Sequence, residues 1–122
     1  MNMRKFVEYR FKKIVEIAEI QDDEKVLDLG CGKGEILKNF LPKVKYIGVD
    51  LVGGDINHNL EKCLPKILKK QKFDIIFLNE ILEHIENFKS LLLECRQILT
   101  DNIVSQPDSY MFGHESYLNL ST

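Results

Sequence analysis

The sequence is short of the features that mark most specialised proteins. No apolar run approaches the ~20 residues of a membrane-spanning helix, so a membrane span is not expected. Positive charge is not in excess: 17 Lys and Arg stand against 19 Asp and Glu, for a net charge of −2. That balance gives no case for broad electrostatic binding to nucleic acid. Cysteine is scarce and odd in number. Cys31, Cys63 and Cys95 form no metal-type pair and no disulfide framework, and they fit reduced thiols in a cytoplasm. The N-terminus is amphipathic and lacks the continuous apolar core of a secretory signal. What remains is 122 residues, 44% hydrophobic and 30% charged, the composition of one ordinary globular domain.

The most informative stretch is Val26-Leu27-Asp28-Leu29-Gly30-Cys31-Gly32-Lys33-Gly34-Glu35. Val26, Leu27 and Leu29 read as a buried strand, three glycines follow at every second position, and Glu35 to Leu41 reads as a helix that Pro42 stops. Strand, glycine turn and helix open a nucleotide-binding βαβ unit, because glycines let a ligand approach the backbone and the helix start offers free N–H groups. The third glycine of a dinucleotide pattern Gly-x-Gly-x-x-Gly is missing, since position 35 holds Glu35. An acid two residues before the first glycine, Asp28, can instead face a ligand ammonium.

Asp28-Leu29-Gly30-Cys31-Gly32-Lys33-Gly34 closely resembles the first motif of class I S-adenosylmethionine-dependent methyltransferases. The resemblance extends along the chain to about Pro107. Tyr46-Ile47-Gly48-Val49-Asp50 is a second apolar strand ending in an acid, and Asp50 matches the family's ribose-binding acid. Asn59-Leu60, followed by Leu64-Pro65, is similar to the Asp-Leu pair whose acid contacts the adenine amino group; Asn59 keeps the acceptor oxygen without the charge. A plain turn asparagine accounts for Asn59 equally well. The run from Phe73-Asp74-Ile75-Ile76 through Leu82-Glu83-His84-Ile85 is similar to the fourth motif, which lines the floor between cofactor and acceptor. The resemblance therefore implies S-adenosylmethionine as cofactor, with Asp28, Gly30, Cys31, Gly32, Gly34, Asp50, Leu51, Asn59 and Asn79 as its site. Glu80 and His84 are the candidate catalytic residues. Glu80, Glu83 and His84 also share one helical turn; some relatives with this pattern hold a divalent metal there, with His114 as a possible further ligand, while in others with the same pattern the histidine packs or caps. Spacing gives no complete ligand set, and the expectation is that no metal binds.

Five further segments complete the reading. Val7, Phe11, Ile14 and Ala18 recur at helical spacing between Arg4 and Ile20, with Phe6, Val15 and Ile17 widening the face. Asp55-Ile56-Asn57 could be a short third strand, and Phe88 to Leu99 reads as an amphipathic helix. Ile103-Val104-Ser105 reads as a thin fifth strand, and Gln106 to Thr122, with no clear period, as a tail or a flap over the site.

The expected architecture is α/β: a doubly wound, mostly parallel sheet of order 3-2-1-4-5 with helices on both faces. It is a Rossmann-like methyltransferase core truncated before the family's last strands. We expect a single domain over 1–122, with an N-terminal helix in 1–24, a cofactor-binding core in 25–105 and a tail in 106–122. The fifth strand would be an exposed edge, and three outcomes stay open: a homodimer forms through it, the tail covers it, or the domain is truncated there. The implied activity is methyl transfer to an unidentified acceptor. The alternatives are a degenerate, non-catalytic cofactor-binding or partner module and, less favoured by Glu35, a NAD-dependent oxidoreductase.

Overall fold

A computed structural model describes residues 3–31, 35–78, 85–100, 110–113 and 116–119. The chain runs α1 (Met3–Ala18), β1 (Lys25–Leu29), α2 (Glu35–Lys38), β2 (Lys45–Asp50), β3 (Ile56–Asn57), α3 (Lys66–Lys69), β4 (Ile75–Leu78), α4 (Phe88–Gln97), β5 (Tyr110–Gly113) and β6 (Ser116–Asn119). Its sheet has the order β3-β2-β1-β4-β5-β6. The first four of these strands are mutually parallel, with Val26 opposite both Tyr46 and Ile75 and Leu29 opposite both Val49 and Leu78. Parallel pairing needs crossovers: α2 lies between β1 and β2 and α3 between β3 and β4, while residues 51–55 alone join β2 to β3.

Alternation along the strands divides the core in two. Leu27, Leu29, Val49, Ile76 and Leu78 point to one face, where Leu64, Leu68, Leu91 and Cys95 of the α3 and α4 segments cover them. Val26, Ile75 and Phe77 point to the other, under Ala18 of α1 and Leu37 of α2, with Phe11 and Val15 packed alongside. β4 is buried at all four residues, as a central parallel strand should be. Phe73 and Phe77, at 0% and 1% exposure, anchor one face each. Burying a side chain of that size contributes about 1.5–3 kcal/mol.

Several elements depart from expectation for identifiable reasons. Phe6, expected on the packed face of α1, is 48% exposed. α1 ends with Glu19 in the left-handed region at φ 52°, a helix stop made without a glycine. α2 closes at Lys38 rather than Leu41. The chain then tightens into i→i−3 bonds, from Phe40 N–H to Leu37 O at 3.0 Å and from Leu41 N–H to Lys38 O at 3.3 Å, before Pro42.

The main correction concerns the strand beside β4. A parallel bridge, Phe73–Leu99, forms four residues before the expected strand, at a residue expected to be helical, with Phe73 N–H on Ile98 O at 2.7 Å and Thr100 N–H on Phe73 O at 3.0 Å. Ile103-Val104-Ser105 lies outside the described residues. The place along β4 is taken by antiparallel β5, with Ile75 opposite Gly113 and Leu78 opposite Tyr110. β6 folds back on β5, Gly113 pairing with Ser116. The segment expected as a tail or flap thus supplies two strands, because Tyr110-Met111-Phe112 is a strand-forming run. The outer strand on this side is β6, not the expected fifth strand. No described helix is long and apolar enough to cross a membrane.

Candidate cofactor site

The carboxyl ends of β1 and β2 lie side by side, and the polar groups of interest gather there. In doubly wound sheets this is the edge at which ligands bind. Beyond Leu29 the chain turns at Gly30, whose φ of 76° suits glycine. Gly30 N–H donates to Val49 O at 2.7 Å and Cys31 N–H to the same oxygen at 3.2 Å, so the end of β2 holds the turn.

Asp28 lies one residue before the end of β1 and is 3% exposed, the single buried acid among the described residues. By alternation it shares a face with Val26, the face of α2. Opposite it in register is Gly48. A Cβ on Gly48 would come 2.8 Å from Cys31 Sγ and 3.0 Å from the Tyr46 hydroxyl oxygen, so the missing side chain leaves room for both groups. Tyr46 uses it: its hydroxyl donates to Asp28 Oδ2 at 2.6 Å, while Lys38 Nζ sits 4.6 Å from the centre of its ring.

This crowding shifts the protonation equilibria. Burial pushes the Asp28 carboxyl up to about 6; the Tyr46 hydrogen bond opposes this, Asp50 adds to it and Lys38 opposes it. Burial, with Asp28 and Asp50 nearby, pushes the Cys31 thiol up to about 11 and keeps it in the unreactive form. The Tyr46 hydroxyl is also raised, by burial and by Asp28, and so stays a donor.

Asp50 closes β2. Its Oδ1 accepts from Leu51 N–H at 2.7 Å and its carbonyl from His58 N–H at 2.9 Å, which places the acid at a fixed turn. Because β3 has only two residues, the Gly48 N–H has a side-chain partner instead, Asp55 Oδ2 at 2.8 Å. Leu51 and Val52, 63% and 80% exposed, stand beside Asp50 as bare apolar surface. Asn59 is exposed, and its Oδ1 accepts from Glu61 N–H at 2.9 Å in a local turn.

The structure therefore brings Asp28, Gly30, Cys31, Asp50 and Leu51 to one edge. Gly32, Gly34, Asn79, Glu80, Glu83, His84 and His114 lie outside the described residues. Among the described residues no group of three His, Cys, Asp or Glu side chains is set to hold a metal ion. Sequence reasoning missed Tyr46 and Gly48. The signal was available: Tyr46, Gly48 and Asp50 alternate along β2, and the parallel register lays Gly48 against Asp28. A separate cavity of about 400 Å³ opens between the turn after Asn59 and α4, lined among others by Leu60, Glu61, Cys63, Ser90 and Glu94.

The donor set fits an adenosyl amino-acid cofactor: one buried carboxylate under a glycine turn and a second acid at the neighbouring strand end. A family model described as "Methyltransferase domain" matches residues 3–113. The chain belongs to the class I S-adenosylmethionine-dependent methyltransferase family. It is 30% identical over 105 residues to an (S)-coclaurine N-methyltransferase of Papaver somniferum, covering 72% of this chain and 30% of that protein. It is 32% identical over 114 residues to a ubiquinone biosynthesis O-methyltransferase of Histophilus somni (strain 2336), covering 76% and 48%. A similar O-methyltransferase of Glaesserella parasuis serovar 5 (strain SH0165) is 31% identical over 100 residues, covering 65% and 42%. The chain spans less than half the length of each of these relatives. Membership of this family implies a methyl donor.

Proposed function

We propose that this chain binds S-adenosylmethionine at the β1–β2 edge and transfers its methyl group to a nitrogen or oxygen nucleophile of an acceptor still to be identified. The observation that carries the reading is that buried Asp28 and Asp50 lie near the carboxyl ends of adjacent parallel strands, beside the left-handed turn at Gly30. The cofactor supplies an electrophilic methyl group on a sulfonium centre. Asp28 and the glycine turn through Gly32 and Gly34 hold the amino-acid end, the carboxylate facing the ammonium. Asp50 receives the ribose hydroxyls, and exposed Leu51 offers an apolar surface to the base. Asn59 has a second lone pair on Oδ1 for the adenine amino group, and Asn79 is a further cofactor contact that the family resemblance implies. Catalysis is then mainly positioning of the nucleophile in line with the methyl carbon. Glu80 and His84 are the candidates that the family resemblance offers for taking a proton from an acceptor that needs one removed.

The acceptor class follows the relatives, one an N-methyltransferase and two of them O-methyltransferases by name. One observation favours a second reading, a cofactor-binding module without turnover: antiparallel β5 occupies the sheet position beside β4 where the family resemblance implies a parallel strand.

Calorimetric titration of S-adenosylhomocysteine, with NAD as control, tests the proposal. Saturable binding is expected, weakened about tenfold or more in Asp50→Ala, the worth of a hydrogen bond to a charged group. Absence of binding by the folded chain contradicts it. Binding without methyl transfer to any of a panel of amine and hydroxyl acceptors supports the second reading.

A further inference from the structure

The family resemblance assigns nothing to Tyr46, yet its side chain bonds directly to the buried acid of the candidate cofactor site. Its hydroxyl lies 2.6 Å from Asp28 Oδ2, in space that exists because residue 48 has no side chain. The ring is held from above by Lys38 and packs with the cluster under α1 and α2. A buried carboxylate with one oxygen fixed in this way has a set rotamer and one oxygen, Oδ1, outside the bond.

We infer that Tyr46 is a positioning residue of the cofactor site, its hydroxyl fixing the Asp28 carboxylate to receive the cationic amino group of the ligand. The inference rests on the proposed function. A hydroxyl that donates to a carboxylate favours the charged form, so Tyr46 also sets the pH below which Asp28 takes a proton and can no longer attract an ammonium. Among the described residues three other titratable groups face Asp28. Asp50 of β2 disfavours its charge and Lys38 of α2 favours it, and Cys31 in the turn is a protonated thiol. Across β4 the register partner is apolar Phe77. Asp28 is buried, and its midpoint of about 6 falls where a one-unit shift is readily measured.

The test compares wild type with Tyr46→Phe, which keeps the ring and removes only the donor. S-adenosylhomocysteine affinity is measured by calorimetry from pH 5 to 7.5. In wild type, affinity falls as pH drops through about 6. In Tyr46→Phe the fall moves up by about one pH unit, so binding is about fivefold weaker at pH 6 and within about twofold at pH 7.5. In Asp28→Asn the acid limb disappears and adding Tyr46→Phe changes little further. A loss of packing alone would weaken binding equally at every pH. The carboxyl carbon of Asp28, followed by NMR without ligand, should show the same upward shift and serves if the variant binds too weakly for calorimetry. An unchanged midpoint in wild-type-like binding overturns the inference alone. A wild-type chain that binds no S-adenosylhomocysteine at any pH overturns it together with the proposed function.

Discussion

Asp28 carries the tension between folding and binding at the level of single residues. Its carboxyl is raised to about 6 in the fold, against about 3.9 for an unperturbed aspartate. Between those values the folded state binds more protons than the unfolded one, so Asp28 makes stability fall as pH rises from about 4 to about 6. Above about 6 the folded chain bears the full penalty of the buried charge. Asp28→Asn removes that charge while its amide can still pair with the Tyr46 hydroxyl. The variant should be more stable than wild type at pH 7.5 by about 1–3 kcal/mol, and the gap should close near pH 4. Urea denaturation at the two pH values measures it. The same variant should bind S-adenosylhomocysteine more weakly, the pattern expected where a site is kept against the interest of stability. An equal gap at both pH values would mean that Asp28 is not titrating as described.

At the level of elements, the turn from β2 to β3 positions Asp50, and Gly54 is its tightest point. A Cβ there would lie 2.9 Å from each of Asp50 N, Gly48 O and Ile56 O, all backbone atoms of the two strands. Gly54→Ala must therefore move a strand, and should cost about 1–3 kcal/mol in chemical denaturation while weakening cofactor binding through Asp50. Denaturation midpoints unchanged from wild type would contradict this close packing. The helices and strands that position the site were legible to different degrees. β1, β2 and β4 could be read because each is a compact apolar run closed by a turn or an acid, and α1 because its apolar residues recur at helical spacing. α3 was not legible: Lys66–Lys69 is a single turn after Pro65 in a lysine-rich stretch. The β5–β6 hairpin was not legible either, since its connection carries no glycine-containing turn pair and its aromatic residues do not alternate with polar ones. At the site, acids and glycines could be recognised by motif. Tyr46 was missed, because a tyrosine in an apolar strand reads first as packing and its partner lies 18 residues earlier; only its alternation with Gly48 and Asp50 pointed to the site.

Taken as a whole, the molecule is a sheet covered on both faces, with α1 and α2 on one side and α3 and α4 on the other. The parallel strands end together at one edge, and Asp28, Gly30, Asp50 and Leu51 converge there. The opposite edge is closed by backbone and side-chain bonds that link the strand starts, among them Lys25 N–H on Asp74 Oδ2 at 2.8 Å and Lys45 N–H on Glu24 O at 2.9 Å. The cavity beside α4 is a third and separate location. The measurement that decides among them is the amide spectrum of the isotopically labelled chain during addition of S-adenosylhomocysteine. The largest shifts should fall at Gly30, Cys31, Asp50 and Leu51, with Lys25 and Lys45 unmoved. Shifts centred on Leu60, Cys63 and Ser90 with Gly30 and Asp50 unmoved, or no shifts at all, would contradict a cofactor site at the β1–β2 edge.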